Sequence, residues 1–133
     1  MDITSVEPGT SLFNRTMTVS QGAVRAYVDA VEDANALYEA EGIAPPMAVA
    51  ALMMALALEA IDLPAGSVHT SQELEFAAPV PIGSAVECSA AVSQNSVRKG
   101  TRFVAMDVVG EAQGRRAVAG RVSLAIPEAE GSG

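Results

Sequence analysis

Three polar side chains that could hold or move a proton stand within six residues of one another, at Asp33, Asn35 and Tyr38. A carboxylate can accept a proton from water. A phenol, with an ordinary pKa of about 10, is a poor base near neutral pH but can donate a hydrogen bond. Structural roles are the alternatives to a catalytic one. Asp33 and Asn35 could cap the segment that follows them, and Tyr38 could be a packed aromatic whose hydroxyl bonds a polar partner.

A charge-free run, residues 43–58, follows this cluster. A proline suits the first turn of a helix, where its missing N–H costs little, so the sequence predicts a helix from about Pro46 to Ile61. The run is apolar on every side until Glu59, and we therefore expect protein to surround it almost completely. Its length is slightly short for a bilayer span, which favours a buried core helix over a membrane helix.

Alternation of apolar and polar residues predicts strands before and after this helix. We expect strands at 11–19, 69–78, 85–94, 101–110 and 117–126, turns at 95–100 and 111–116, and an amphipathic helix after the N-cap Ser20. An antiparallel sheet wrapped around one long apolar helix satisfies all these patterns, which is the hotdog fold of the α+β class. The edge strands of such a sheet invite a partner, so we expect a dimer or a dimer-like assembly.

Composition narrows the class of protein further. The 133 residues predict one domain spanning 1–133, with a flexible polar tail from about residue 128. A formal charge of −8 argues against nucleic acid and anionic membranes as partners. The single cysteine, Cys88, cannot form an internal disulfide, and no signal peptide opens the chain, so we expect a cytoplasmic protein. The sequence contains no His and Cys pattern typical of a metal site.

Several segments resemble the MaoC-like hotdog family, which includes (R)-specific enoyl-CoA hydratases and hydroxyacyl-thioester dehydratases. The resemblance covers the chain from about Phe13 to Pro127. Its most specific part is similar to the family motif Asp-x-Asn-Pro-Leu-His, and here reads Asp33-Ala34-Asn35-Ala36-Leu37-Tyr38. Weaker matches are the strand at 67–76, the Pro-Val-x-x-Gly turn at 79–83 and the small-residue pattern at 120–122.

The resemblance implies a site for an acyl thioester of coenzyme A or acyl carrier protein, with no cofactor. In the family an Asp and a His hold water against the C2–C3 bond of an enoyl thioester, and a backbone N–H at the helix start stabilises the enolate. By this likeness Asp33 activates the water, Asn35 fixes the loop, Tyr38 orients the substrate, and the Met47 N–H polarises the thioester carbonyl. If active, the protein is a lyase, either an enoyl-CoA hydratase or a 3-hydroxyacyl-thioester dehydratase.

Two departures from the family pattern favour an alternative function. Tyr38 stands at the histidine position, and Pro46, which has no N–H, stands at a position where active members carry glycine. Both departures resemble non-catalytic members of the family, so the chain alone could be weakly active or could be a silent acyl-binding subunit of a heteromeric hydratase. We expect it to form a homodimer or a heterodimer with another hotdog chain. Pro46, Met47, Met53 and Met54 would then still contact substrate, the last two as part of an acyl tunnel.

Other functions stay open at this point. A thioesterase needs a carboxylate on or facing the central helix, and Glu59, near its far end, is the only acid there. A third class is a hotdog module that binds another apolar ligand. The basic pairs 98–99 and 115–116 fall on predicted turns, where they are either solvated or in contact with coenzyme A phosphates. His69, the only histidine, stands at a predicted strand start, where an exposed structural role is the simpler interpretation.

Overall fold

The computed structural model describes residues 3–31 and 42–128, for Val31 the backbone alone. Within them lie a 3₁₀ turn, two helices and five strands. They are the turn Ile3–Ser5, β1 Ser11–Thr18, α1 Gln21–Val31, α2 Pro46–Ala60, β2 Val68–Phe76, β3 Ala85–Arg98, β4 Thr101–Ala112 and β5 Arg115–Pro127. The strands form one antiparallel sheet in the order β1-β3-β4-β5-β2. The α+β hotdog prediction is confirmed.

The inner face of the sheet is the core. Side chains alternate along each strand, so one face collects the apolar positions that the sequence pattern predicts. The buried residues of this face include Val86, Cys88, Ala90 and Val92 on β3, and Val118, Val122, Leu124 and Ile126 on β5. α2 covers part of this face, and Ile3 of the 3₁₀ turn is fully buried in the same core.

Both helices begin where the sequence predicts. The Ser20 hydroxyl accepts a hydrogen bond from the Ala23 N–H at 3.1 Å, which is an N-cap for α1. α2 starts at Pro46 and ends one residue before the predicted Ile61. No helix in the described part of the chain combines the length and apolar character that spanning a membrane requires.

The prediction that protein surrounds α2 on nearly every side is wrong for the described structure. Its residues 48, 49, 50, 53 and 57 are buried, but Met47 and Leu58 keep 49% and 55% of their surface exposed. Because nearly every position of α2 is apolar, the pattern carries no information about which side faces the sheet. An exposed apolar stripe therefore runs along the helix.

The two hairpins of the β3-β4-β5 meander are tighter than predicted. Each turn has two residues with positive φ, Lys99 and Gly100 in the first (51° and 77°) and Gln113 and Gly114 in the second (54° and 73°). Positive φ at both positions is typical of a type I′ turn, whose twist matches the flanking strands. β3 therefore continues to Arg98, past the turn expected to begin at residue 95.

β3 can continue because Asn95 finds polar partners from distant parts of the chain. Its side-chain amide donates to the carbonyls of Thr4 at 3.2 Å and Val6 at 2.7 Å, and its oxygen accepts from Arg102 at 2.7 Å. Arg102 Nε also lies 2.6 Å from a carboxylate oxygen of Glu128, without the angles of a hydrogen bond. These contacts tie the first and last described residues to the same corner of the sheet.

Candidate functional site

The structure describes the chain on either side of the 33–38 motif, but Asp33, Asn35 and Tyr38 lie outside the described residues. α1 ends at Val31, and the described chain resumes at Gly42, whose φ of 69° is a left-handed conformation that glycine adopts without strain. Gly42 O accepts from Ile82 N–H at 2.8 Å, and Ala44 N–H donates to Val80 O at 2.8 Å. These bonds hold the start of α2 against the connection between β2 and β3.

Within the described residues, the first turn of α2 leaves one backbone amide without a hydrogen-bond acceptor. Pro45 and Pro46 have no N–H, and the amides of Ala48 and Val49 both donate to Pro45 O, at 2.9 and 3.3 Å. Among the described residues, the Met47 N–H has no hydrogen-bond acceptor. This amide sits at the positive end of the helix dipole beside a half-exposed side chain, and such an arrangement favours an incoming oxygen that carries negative charge.

One face of α2 connects this amide with an apolar cavity. Met47, Ala51, Met54 and Leu58 follow the spacing i, i+4, i+7 and i+11, which places them on one side of a helix. The last two line a cavity of about 200 Å³ near the end of α2. Its other lining residues are Ile61, Leu63, Ser67, His69, Met106, Val122 and Leu124. From Met47 to the cavity the helix rises about 10–16 Å, at 1.5 Å per residue.

The two methionines assigned to a tunnel have different surroundings. Met54 lines the cavity, whereas Met53 is buried and is not one of the residues that line it. Met53 packs against the sheet at Gly110, where an added Cβ would lie 2.9 Å from its sulfur. The sequence suggested Met54 only as part of a methionine-rich face, and the strand residues of the cavity were missed because they are ordinary inward positions of β4 and β5.

His69 contributes a polar group to the cavity wall. Its Nε2 lies 3.0 Å from the Ser71 carbonyl oxygen, and since a carbonyl can only accept, Nε2 carries the proton in this contact. The residue is exposed, as expected, but a β-bulge between His69 and Ser71 shifts the register so that it also lines the cavity. The nearby Ser67 hydroxyl donates to Pro64 O at 2.6 Å.

The two basic pairs lie too far apart to bind one coenzyme A together. Arg98 and Lys99 precede β4, Arg115 and Arg116 follow it, and its 12 residues separate the two pairs. An antiparallel strand of that length spans about 40 Å. Since β3 begins next to the start of α2, the pair at 115–116 lies at the sheet end nearer Met47.

The environments of Cys88 and Glu59 give neither side chain a role in the candidate site. Burial raises the pKa of the Cys88 thiol from its ordinary 9.0 to about 11, so the thiol is protonated and inert at neutral pH. Glu59 lies on the exposed side of α2, where it pairs with Arg15 of β1 at 3.5 Å. No group of three or more His, Cys, Asp or Glu side chains able to hold a metal ion occurs within residues 3–31 and 42–128.

Comparison with known proteins identifies the family. The sequence profile described as "FAS1-like, dehydratase domain region" matches residues 7–120 of the chain. The chain belongs to this family. No curated protein sequence matches it.

Solved structures share the fold of this dehydratase-region protein. The (R)-hydratase from A. caviae involved in PHA biosynthesis is 24% identical, with a TM-score of 0.73 over 92% of this chain and 98% of its own. The MaoC-like dehydratase from Rhodospirillum rubrum is 16% identical, with a TM-score of 0.74 over 93% and 94%. The ChsH1-ChsH2 complex from Mycobacterium tuberculosis contains a chain 16% identical, with a TM-score of 0.72 over 90% and 98%. The resemblance to MaoC-like hotdog proteins is confirmed.

Proposed function

We propose that this protein binds an acyl thioester, with the thioester carbonyl at the Met47 N–H and the acyl chain along α2. The observation that carries the proposal is the Met47 amide, which has no hydrogen-bond acceptor among the described residues and whose side chain lies on the same face of α2 as the cavity-lining Met54 and Leu58. An amide at the positive end of a helix dipole stabilises negative charge that develops on a carbonyl oxygen. The alkyl end of the ligand would leave water for a cavity lined mostly by apolar side chains.

Hydration of a trans-2-enoyl thioester, or the reverse dehydration, is the reaction that fits this site and the family. Asp33 would activate water for attack at C3, Asn35 would fix the loop and Tyr38 would orient the substrate. As the hydroxyl adds at C3, the enolate charge that develops on the thioester oxygen would be stabilised by the Met47 amide, and the charge would be lost when C2 takes up the proton that Asp33 received from the water. Coenzyme A and acyl carrier protein are both possible carriers, and the basic pair at 115–116 would meet the carrier's phosphate.

The alternative is a catalytically silent acyl-binding subunit. Two features favour it: Tyr38 is a poor base at the position of the family histidine, and the two prolines at the start of α2 leave a single amide for the carbonyl. Relatives in fold include a complex of two differently named chains, ChsH1 and ChsH2. In such an assembly this chain would hold the acyl group while a partner supplies the Asp and His pair.

An assay with a short trans-2-enoyl-CoA separates the two functions. If the chain is an enzyme, the enoyl absorbance decays, and Asp33→Asn lowers the rate about 10²-fold or more. If it is a silent subunit, the ligand binds without turnover, and Tyr38→His restores hydration whereas the matched control Tyr38→Phe does not. Absence of binding to both enoyl-CoA and saturated acyl-CoA by calorimetry would overturn the proposal.

A further inference from the structure

Two polar side chains interrupt the apolar wall of the cavity near the end of α2. Among the described residues that line this cavity, only Ser67 and His69 are polar, and the others, from α2, the segment after it, β4 and β5, are apolar. Both stand at the beginning of β2, with the exposed Val68 between them. Because a polar group that leaves water must find a new hydrogen bond, such a pair selects which end groups a ligand can bring there.

The register of β2 places His69 on the cavity side of the sheet. Its partner on β5 is Leu124, a buried inner-face residue that lines the same cavity. Directly opposed residues of an antiparallel pair lie on the same face, so His69 also belongs to the inner face. The residue is nevertheless exposed, which places it where the cavity meets solvent.

Both polar side chains already use a proton in a contact with the chain itself. The Ser67 hydroxyl donates its single proton to Pro64 O at 2.6 Å. His69 Nε2 donates to the Ser71 carbonyl oxygen at 3.0 Å, so in the neutral ring Nδ1 carries a lone pair. Each side chain can therefore offer a ligand a hydrogen-bond acceptor but no further donor.

The distance from the Met47 amide determines which part of an acyl chain would meet this pair. Met54 and Leu58, which line the cavity, lie about 10–16 Å along α2 from Met47, at 1.5 Å per residue. An extended chain advances about 1.2 Å per covalent bond, since a residue of three bonds spans about 3.6 Å. A group roughly 8 to 13 bonds beyond the thioester carbonyl would therefore reach the cavity.

We propose that this cavity selects acyl thioesters whose chain ends in a hydroxyl group, and that Ser67 and His69 recognise that hydroxyl. This substrate class rests on the proposed acyl-thioester function and narrows it. The alkyl chain packs against the apolar wall, and the terminal hydroxyl donates its proton to Ser67 Oγ or His69 Nδ1. A terminal methyl gains no such bond, and an ionised terminal carboxylate, which only accepts, meets two further acceptors.

The test compares dodecanoyl-CoA, ω-hydroxydodecanoyl-CoA and the CoA monothioester of dodecanedioic acid, which differ only in the group at the end of the chain. Their Kd values are measured by isothermal titration calorimetry at about pH 8, where an ordinary imidazole is neutral. The variants are Ser67→Ala and His69→Phe. The matched control is Ser84→Ala, which removes the same kind of bond, from the Ser84 hydroxyl to Pro81 O at 2.6 Å, away from the cavity.

Wild type should bind the hydroxyl ligand about fivefold more tightly than dodecanoyl-CoA, as one net neutral hydrogen bond predicts, and the carboxylate ligand most weakly. Ser67→Ala or His69→Phe should bring the Kd ratio of the methyl and hydroxyl ligands close to one, whereas Ser84→Ala should leave it unchanged. A purely structural role would weaken both ligands equally and keep the ratio.

Three results would overturn this inference alone: equal wild-type affinity for the methyl and hydroxyl ligands, an unchanged ratio in both cavity variants, or tightest binding of the carboxylate ligand. If none of the three thioesters binds to wild type, the proposed function fails and the inference fails with it.

Discussion

The cavity beside α2 would limit how much affinity the proposed acyl ligand gains as it lengthens. Its volume is about 200 Å³. An apolar cavity of about 150 Å³ accommodates benzene, so by proportion this one holds on the order of eight carbon atoms. Each methylene that enters it contributes about 0.8 kcal/mol, or roughly a fourfold lower Kd. Wild-type affinity for saturated acyl-CoAs should therefore rise with chain length and then level off.

The substitution Met54→Trp places a large ring in that cavity. If the indole excludes about three methylenes, the longest ligands lose about 2.4 kcal/mol, which is roughly 50-fold in Kd. Acyl groups too short to reach the cavity should bind as they do to wild type. Isothermal titration calorimetry across a series of saturated acyl-CoAs measures both effects.

Val97→Trp is the matched control, because it adds the same side chain at a position that is 50% exposed on β3 and does not line the cavity. Thermal unfolding checks that both variants fold. The reasoning is refuted if Met54→Trp weakens short and long ligands equally, or if wild-type affinity does not change with chain length.

Three further predictions concern the scaffold. A Cβ on Gly120 would collide with the backbone oxygen of Glu73, so Gly120→Ala should lower the free energy of unfolding in urea by about 3 kcal/mol. Gly110→Ala should lower it by only about 1 kcal/mol, because the methionine that an added Cβ would meet there is flexible and can move. Equal losses in the two variants would contradict this. Asn95→Ala removes two amide donors to distant carbonyls and should cost about 2 kcal/mol, and a change below 0.5 would show that water replaces them. The pKa of the Cys88 thiol is about 9 in the unfolded chain and about 11 in the folded protein, so the free energy of unfolding should fall between pH 9 and pH 11 and level off above pH 11. Cys88→Ala should abolish this fall. If the variant keeps the same pH profile, other groups cause the fall.

The fold could be predicted because burial imposes regular spacing on the sequence. Val86, Cys88, Ala90 and Val92 alternate with Glu87, Ser89 and Ala91, and all four are buried on the inner face. The same logic fails where a polar residue finds its partners far away in the chain. Asn95 has the appearance of a turn residue, and only the carbonyls of Thr4 and Val6, about 90 positions earlier, allow it to sit inside a strand.

The candidate site was less accessible to sequence reasoning than the fold. Met47 could be singled out because Pro46 removes the preceding amide, and that is a local property of the sequence. The cavity depends on how α2 is rotated against β4 and β5, and a helix with apolar residues on every side does not encode that rotation. The β-bulge beside His69 could not be predicted from the sequence either. It changes the strand register, and the register determines on which face of the sheet the His69 ring lies.

The corner formed by Asn95, Arg102 and Glu128 has a practical consequence for joining this chain to other polypeptides. The first described residues and the last meet there, at the end of the sheet opposite the start of α2. Sequence appended at either end of the described chain would therefore emerge from one place, roughly the length of β4 away from the Met47 amide. Affinity tags, fluorescent fusions or a tethered second subunit attached at that corner would not pass the first turn of α2, although the residues 67–69 beside the cavity lie at the same end of the sheet.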